Sequence, residues 1–231
     1  MNTLQKLFNY FTTAEKVIWS GSFAAISISF FVFDGEGYLS YLASVIGITA
    51  LILCARGNPL GQLMCIVFGL MYAFISFGFA YYGEVITYLG MSVPMAALSL
   101  ISWLRNPFKG NKSQVAVNRI TKREIPFMLV LAVIVTALMY FALELFGTAN
   151  LIPSTISVFT SFVAVYLTYR RSPYFALAYG INDVVLMVLW ILACLVDISY
   201  LSVVICFGVF LVNDIYSFVN WRRMQKRQAQ G

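Results

Sequence analysis

The sequence predicts an all-α polytopic membrane protein, and three observations carry that expectation. Of 231 residues, 61% are hydrophobic and 10% are charged, where a soluble domain carries about 25% charged residues. That charge cannot cover a soluble fold of this size with a wetted surface. The apolar residues also come in runs of roughly 18 to 22, enough to cross a hydrocarbon layer about 30 Å thick at about 1.5 Å per residue. Finally, all 15 Lys and Arg fall in alternate segments between those runs.

Eight runs are predicted, over 17–33, 38–55, 60–82, 85–104, 125–146, 151–169, 174–196 and 198–221. The first exceeds a signal-peptide h-region and has no A-x-A cleavage site, so it is expected to be retained. The second opens after Asp34-Gly35-Glu36-Gly37, and the third after Gly57-Asn58-Pro59, both sequences that punctuate helices. The fourth begins past Glu84 and ends at Trp103-Leu104, where a basic loop over 105–123 starts. The fifth stops at Gly147-Thr148-Ala149-Asn150, and the sixth at Arg170 before Arg171-Ser172-Pro173. Asp197 separates the seventh from the eighth, which runs into a basic tail.

Charge tests this segmentation independently. Lys6 and Lys16, Arg56, the 105–123 loop, Arg170 and Arg171, and Arg222, Arg223, Lys226 and Arg227 alternate with loops that hold only acids: Asp34 and Glu36, Glu84, and Asp197. Positive charge stays cytoplasmic, so both termini are expected inside and the number of spans even. A bacterial cytoplasmic membrane suits this pattern. Topology and anionic lipid account for the net charge of +6, so no nucleic acid partner is expected. Trp19, Trp103 and Trp221 fall at cytoplasmic span ends, where an indole can anchor in the interface with its N–H wet. Asn111-Lys112-Ser113 matches a glycosylation sequon but falls on the wrong side of the membrane.

Several chemistries are poorly supported. Histidine is absent, and Cys54, Cys65, Cys194 and Cys206 stand singly inside apolar runs. They read as small apolar side chains, with no metal or cofactor expected. No nucleophile elbow or Walker loop points to an enzyme. No selectivity-filter motif or ring of repeated charges points to a channel.

A weak repeat organises the chain. A shift of 114 residues places Ser40, Leu53, Arg56, Pro59 and Leu63 on Ser154, Leu167, Arg170, Pro173 and Leu177. After a four-residue insertion, Tyr82, Gly90, Ser99, Trp103 and Arg105 fall on Tyr200, Gly208, Ser217, Trp221 and Arg223. One span separates the two triplets, so both run the same way through the membrane. Parallel repeats of this kind place a substrate site at their interface near the midplane. The expected organisation is an extra helix over 1–37, a first triplet over 38–104, a loop and linker helix over 105–150, a second triplet over 151–221, and a basic tail over 222–231.

Ionisable residues at membrane depth are functional candidates by default. Asn182-Asp183 and Asn213-Asp214 lie mid-depth in the neighbouring seventh and eighth spans, where the four groups could face one polar cavity. Tyr179, Asp183 and Trp190 share a helix face, as do Phe210, Asp214 and Ser217. Gln62, Gly69, Tyr72 and Ser76 form a stripe on the third span, and Tyr88, Ser92, Met95 and Ser99 one on the fourth. Amides and carboxylates bind sugar hydroxyls, and aromatic faces stack on a flat ring. The plainer reading is that the polar side chains tie helices together at modest energy. It weighs more for the amides than for the costly carboxylates. Glu84 and Glu144 fall near the outer interface and read as solvated.

These residues in this order resemble the Pnu family of bacterial vitamin and nucleoside transporters. The resemblance runs from about Tyr38 to Trp221. It rests on Gly57-Asn58-Pro59-Leu60-Gly61-Gln62, Tyr81-Tyr82-Gly83-Glu84, Ser102-Trp103-Leu104-Arg105-Asn106-Pro107 and the two Asn-Asp pairs. It implies a SWEET-like three-plus-one-plus-three core, a homotrimer, and facilitated diffusion with the ligand trapped by a cytoplasmic kinase. The family includes nicotinamide riboside, thiamine and deoxynucleoside transporters. The ligand implied here is nicotinamide riboside or a deoxynucleoside, since Trp190 is the one tryptophan set deep in the binding helices.

The leading expectation is therefore a uniporter. Asn182, Asp183, Asn213 and Asp214 would hold sugar hydroxyls, with Trp190, Tyr179, Tyr72 and Gln62 around the base. Proton-coupled transport through one aspartate is the alternative. A non-transporting scaffold or receptor subunit is a third reading.

Overall fold

The computed structural model describes residues 10–34, 37–78, 82–148 and 150–230. Lys6, Gly35, Glu36, Tyr81 and Ala149, which enter the charge and turn readings above, lie outside the described residues. Eight helices are long and apolar enough to cross a membrane: Thr13–Phe33, Tyr38–Ala55, Pro59–Gly78, Tyr82–Arg105, Glu124–Leu145, Leu151–Tyr169, Tyr174–Cys194 and Ile198–Gln230. They are numbered here as the first to eighth spans.

Local chemistry sets their ends. Thr12 and Glu15 form a capping box on the first span, each side chain bonded to the other's backbone N–H. Gly57, at φ +70°, closes the second span in the left-handed conformation that favours glycine. The equivalent turn after the sixth span puts Arg171 there instead, at φ 56°. The fourth span widens into a π-helical turn over Tyr88–Ser92 immediately before Pro94. Proline cannot donate the next helical hydrogen bond, and a wider turn accommodates that gap.

Two features depart from a simple reading of the apolar runs. The eighth helix does not stop at Trp221 but continues to Gln230 through the basic tail. The basic loop folds into a hairpin, with β1 (Pro107–Phe108) antiparallel to β2 (Asn111–Val115).

The packing order is a closed ring. The second span packs on the third, the third on the fourth, the fourth on the sixth, the sixth on the seventh, the seventh on the eighth, and the eighth on the second. The first span lies against the second and eighth, while the fifth lies against the sixth and the start of the fourth. Each of these two outer helices thus covers one seam of the ring, the first that between the eighth and second spans and the fifth that between the fourth and sixth. Their outer faces carry exposed Val17, Ile28, Val130, Val133 and Leu138, as lipid contact requires.

The tryptophans require a correction. Trp103 and Trp221 are not interface anchors: both are 0% exposed, with ring centroids 5.4 Å apart. Phe175 packs edge-on against Trp221 at 4.9 Å. Each indole N–H donates to a backbone carbonyl, Trp103 to Thr168 at 2.9 Å and Trp221 to Cys54 at 2.8 Å. Burial is possible because each of these carbonyls, already bonded by Gly57 N or Arg171 N in its turn, has a second lone pair for the indole. Trp19 also turns inward and donates to Thr49 Oγ1 at 3.1 Å. With Met224 and Val115, both buried, the aromatic group closes the basic end of the ring.

Candidate functional site

Above that closure, the interior brings two acids together. Asp183 on the seventh span and Asp214 on the eighth are 4% and 2% exposed. Their carboxyl groups lie within hydrogen-bonding reach of one another. Two carboxyl groups can bond in this way only through a shared proton. Oδ2 of Asp183 and Oδ1 of Asp214 are buried and receive no hydrogen bond from an N–H or hydroxyl of the protein. Buried polar atoms are nearly always satisfied, so these acceptors meet either the shared proton or a donor from a ligand. The approach of the two helices depends on Gly180, where an added Cβ would come within 3.3 Å of Leu211.

The amides of the two Asn-Asp pairs turn elsewhere. Asn182 Oδ1 accepts from Thr160 Oγ1 at 2.7 Å and Ser161 Oγ at 3.0 Å, both on the sixth span. Asn213 Nδ2 donates to Ser22 Oγ of the first span at 2.9 Å and to the Val209 carbonyl at 2.8 Å. Successive helical residues point about 100° apart, so neighbours face different partners. Asn182 and Asn213 tie helix to helix, with Asn213 Oδ1 left buried and unpartnered, while the aspartates face the middle.

The other predicted residues spread along the axis. Gln62 sits near the basic end and donates to Cys54 Sγ at 3.2 Å. Tyr179 lies between Phe175, at 6.3 Å between ring centroids, and Asp183 one turn further on. Tyr72 belongs to an aromatic group with Phe68 at 4.6 Å and Tyr88 at 5.6 Å. Trp190 lies two helical turns outward from Asp183, about 10 Å along the axis, against Tyr200 at 5.3 Å. The structure therefore assembles Tyr179, Asp183 and Asp214 in one region, with Gln62 below and Tyr72 and Trp190 towards the acidic end.

Three residues at this level were not singled out as candidates. Phe68 and Phe210 meet at 6.3 Å across the third and eighth spans. They close over Gly47, where a Cβ would stand 3.0 Å from Phe68 and 3.2 Å from Phe210. Ser99 is 1% exposed with an unpartnered hydroxyl. The Tyr88 stripe is a signal for Ser99 and the Asp214 face one for Phe210, whereas Phe68 is lost among 20 phenylalanines. Among the described residues, no group of acids and cysteines is arranged to hold a metal ion.

Residues 37–223 match the family described as "Nicotinamide mononucleotide transporter". The chain belongs to this family. It is a multi-pass membrane transporter of the Pnu type. The nicotinamide riboside transporter PnuC of Neisseria mucosa is 25% identical over 97% of this chain and 87% of its own length. The PnuC of Haemophilus influenzae is 20% identical over 92% of this chain and 91% of its own length. A crystal structure of the vitamin B3 transporter PnuC shares the fold, with a TM-score of 0.79, 22% identity and 94% coverage of each chain. These relatives carry transporter names, in keeping with the lack of an enzyme's motifs in the sequence.

Proposed function

We propose that this chain carries a nucleoside-like metabolite, nicotinamide riboside or a deoxynucleoside, across a bacterial cytoplasmic membrane by facilitated diffusion. The observation that carries the reading is the Asp183–Asp214 pair, buried inside the helical ring with oxygens that no N–H or hydroxyl of the protein reaches. Those oxygens suit ribose hydroxyls, and Tyr179, Tyr72, Trp190 and Gln62 line the path on either side. Asn182 and Asn213 contribute by setting the helices that carry the acids.

Charge narrows the ligand. Among the described residues, every Lys and Arg sits in a loop or near a span end, and none stands beside the buried acids to receive a phosphate. An anion there would be desolvated against carboxyl groups, at high cost. The interior thus favours a nucleoside over its phosphorylated form, despite the mononucleotide in the family's description. The pyridinium ring of nicotinamide riboside is cationic and gains from an acidic surround. The names of the two curated PnuC relatives point the same way.

In this reading both termini are cytoplasmic and a cytoplasmic kinase phosphorylates the arriving ligand, which then cannot return through an acidic interior. The protein assembles as a homotrimer. The two triplets, 38–104 and 151–221, form the parallel halves around the site, joined by the 105–150 segment.

Titration of the purified, detergent-solubilised protein with nicotinamide riboside, thiamine and a deoxynucleoside series tests the reading. Micromolar binding of nicotinamide riboside or a deoxynucleoside is expected. Folded protein that binds none of them sinks it.

One observation favours a second reading. A carboxyl pair sharing a proton can carry one across, which makes proton-coupled uptake the alternative. Uptake into liposomes that persists without a proton gradient removes that alternative.

A further inference from the structure

The hydrogen bonds at the basic end repeat in the register of the sequence repeat. Trp103 bonds the Thr168 carbonyl, and Trp221, its counterpart, bonds that of Cys54, the counterpart of Thr168. Ser102 Oγ donates to the Tyr169 carbonyl at 2.8 Å, and Asn220 Nδ2 to the Ala55 carbonyl at 2.8 Å. Each triplet's last helix therefore clasps the end of the other triplet's first helix. The loop touches both turns as well: Val115 N donates to the Gly57 carbonyl at 2.9 Å and Asn118 N to that of Arg171 at 3.0 Å.

The correspondence extends to helices outside the triplets. Arg56 pairs with Glu15 in the first turn of the first span at 2.7 Å. Arg170, the counterpart of Arg56, pairs with Glu124 in the first turn of the fifth span. A threonine stands three residues before each glutamate: Thr12 takes part in the capping box, and Thr121 accepts from Glu124 N at 3.0 Å. The first span covers the seam between the eighth and second spans, and the fifth covers that between the fourth and sixth. The four-helix unit, not only the triplet, occurs twice.

We propose that the basic end is a gate closed at two equivalent seams, each held by one tryptophan clasp and one Glu–Arg pair. The first span is then the counterpart of the fifth and a working part of the gate. Ligand leaving the aspartates towards this end must pass Phe175, Trp103 and Trp221, whose rings fill the ring's centre. They can separate only if the clasps release, because each indole is fixed to the opposite triplet. The inference rests on the transport reading, but its test needs no ligand.

Cys65 supplies the reporter. It packs against the buried aromatic group and lies close enough to Asp214 to feel its charge, so it sits just inside the closure. In a chain carrying Cys54→Ala, Cys194→Ala and Cys206→Ala, the rate at which a bulky, impermeant maleimide labels Cys65 in detergent reports opening. Trp103→Phe and Trp221→Phe keep a ring but remove the donor. Each is expected to raise the rate about tenfold, the weight of one buried hydrogen bond. Glu15→Gln and Glu124→Gln are expected to raise it by similar factors. The double variant Glu15→Gln, Arg56→Gln should be no faster than Glu15→Gln alone, since both remove the same pair.

Unchanged labelling in both tryptophan variants overturns the gate. A response to Glu124→Gln without one to Glu15→Gln overturns the equivalence of the first and fifth spans. A double variant faster than Glu15→Gln shows damage to the fold instead of a released clasp, and overturns the role of the ion pair. Failure of nicotinamide riboside to bind would leave these results standing.

Discussion

Asn213 reaches across to Ser22 of the first span at 2.9 Å, while Asp214, the next residue, turns to Asp183 inside the ring. One dipeptide serves two purposes, holding a seam and presenting an acid. Ser22→Ala and Asn213→Ala should each lower the thermal midpoint in detergent, and a double-mutant cycle should give a coupling of about 0.6–1.7 kcal/mol. Nicotinamide riboside affinity should move by less than about threefold, as for removal of modest helix-to-helix glue.

The acids should behave in the opposite way. Asp183→Asn and Asp214→Asn keep shape but put an amide donor where a carboxyl oxygen accepts, and together they remove the pair's charge. Each is expected to weaken binding of nicotinamide riboside at least about tenfold, the worth of one charge-assisted hydrogen bond. A neutral deoxynucleoside should lose less. Calorimetric titration of both ligands against both variants checks the contrast, and equal losses would argue against a role for charge.

Helix approach supplies a third test. A Cβ on Gly61 would lie 2.6 Å from both the backbone N and Sγ of Cys54, so Gly61→Ala must push the third span off the second. Overpacking of this kind costs about 1–3 kcal/mol. Gly21, with nothing within 4 Å of an added Cβ, is the control. Gly21→Ala should be neutral, or stabilising by up to about 1 kcal/mol through helix propensity. Thermal melts of the two variants should therefore diverge from wild type in opposite directions.

Acid should loosen the turn before the eighth span. Asp197 Oδ1 accepts from Ser199 N at 2.9 Å, which holds its carboxyl below the ordinary aspartate range. Its contribution is complete above the unfolded value of about 3.9 and is lost as pH falls through the lower folded value. Asp197→Asn retains a capping acceptor without the titration. The gap in thermal midpoint between wild type and this variant should shrink as pH is lowered from about 5 to about 3.

The spans were legible because membrane helices obey two constraints at once, apolar length and loop charge. Gly57-Asn58-Pro59 and Arg171-Ser172-Pro173 marked their turns for the same reason. The eighth helix past Trp221 was not legible. Apolarity ends there, but a helix of Arg, Gln, Lys and Met needs no lipid to continue. Trp103 and Trp221 were misread because a tryptophan at a span end looks the same whether its N–H meets water or a helix-terminal carbonyl. Only tertiary structure tells which. The aspartates could be found because a buried acid is costly. The division of labour within Asn213-Asp214 follows from the helical angle between neighbours, but not which partner each would meet.

The eighth helix is also a rigid rod. It spans Leu201–Gln230, with Gly208 near its outer end and Asp214 part-way along. Gln228 near its tip grips the loop, donating to the Val115 carbonyl at 3.0 Å and accepting from Val117 N at 2.8 Å. Gly208 and Gln228 are roughly 30 Å apart along the axis, so a tilt of about five degrees would sweep the tip through about 2.5 Å. That displacement is enough to break both grips. A lever of this proportion converts a small shift of the carboxyl-bearing segment into a full stroke at its far end. A fluorophore or fusion joined after Gly231 would ride on the end that moves most.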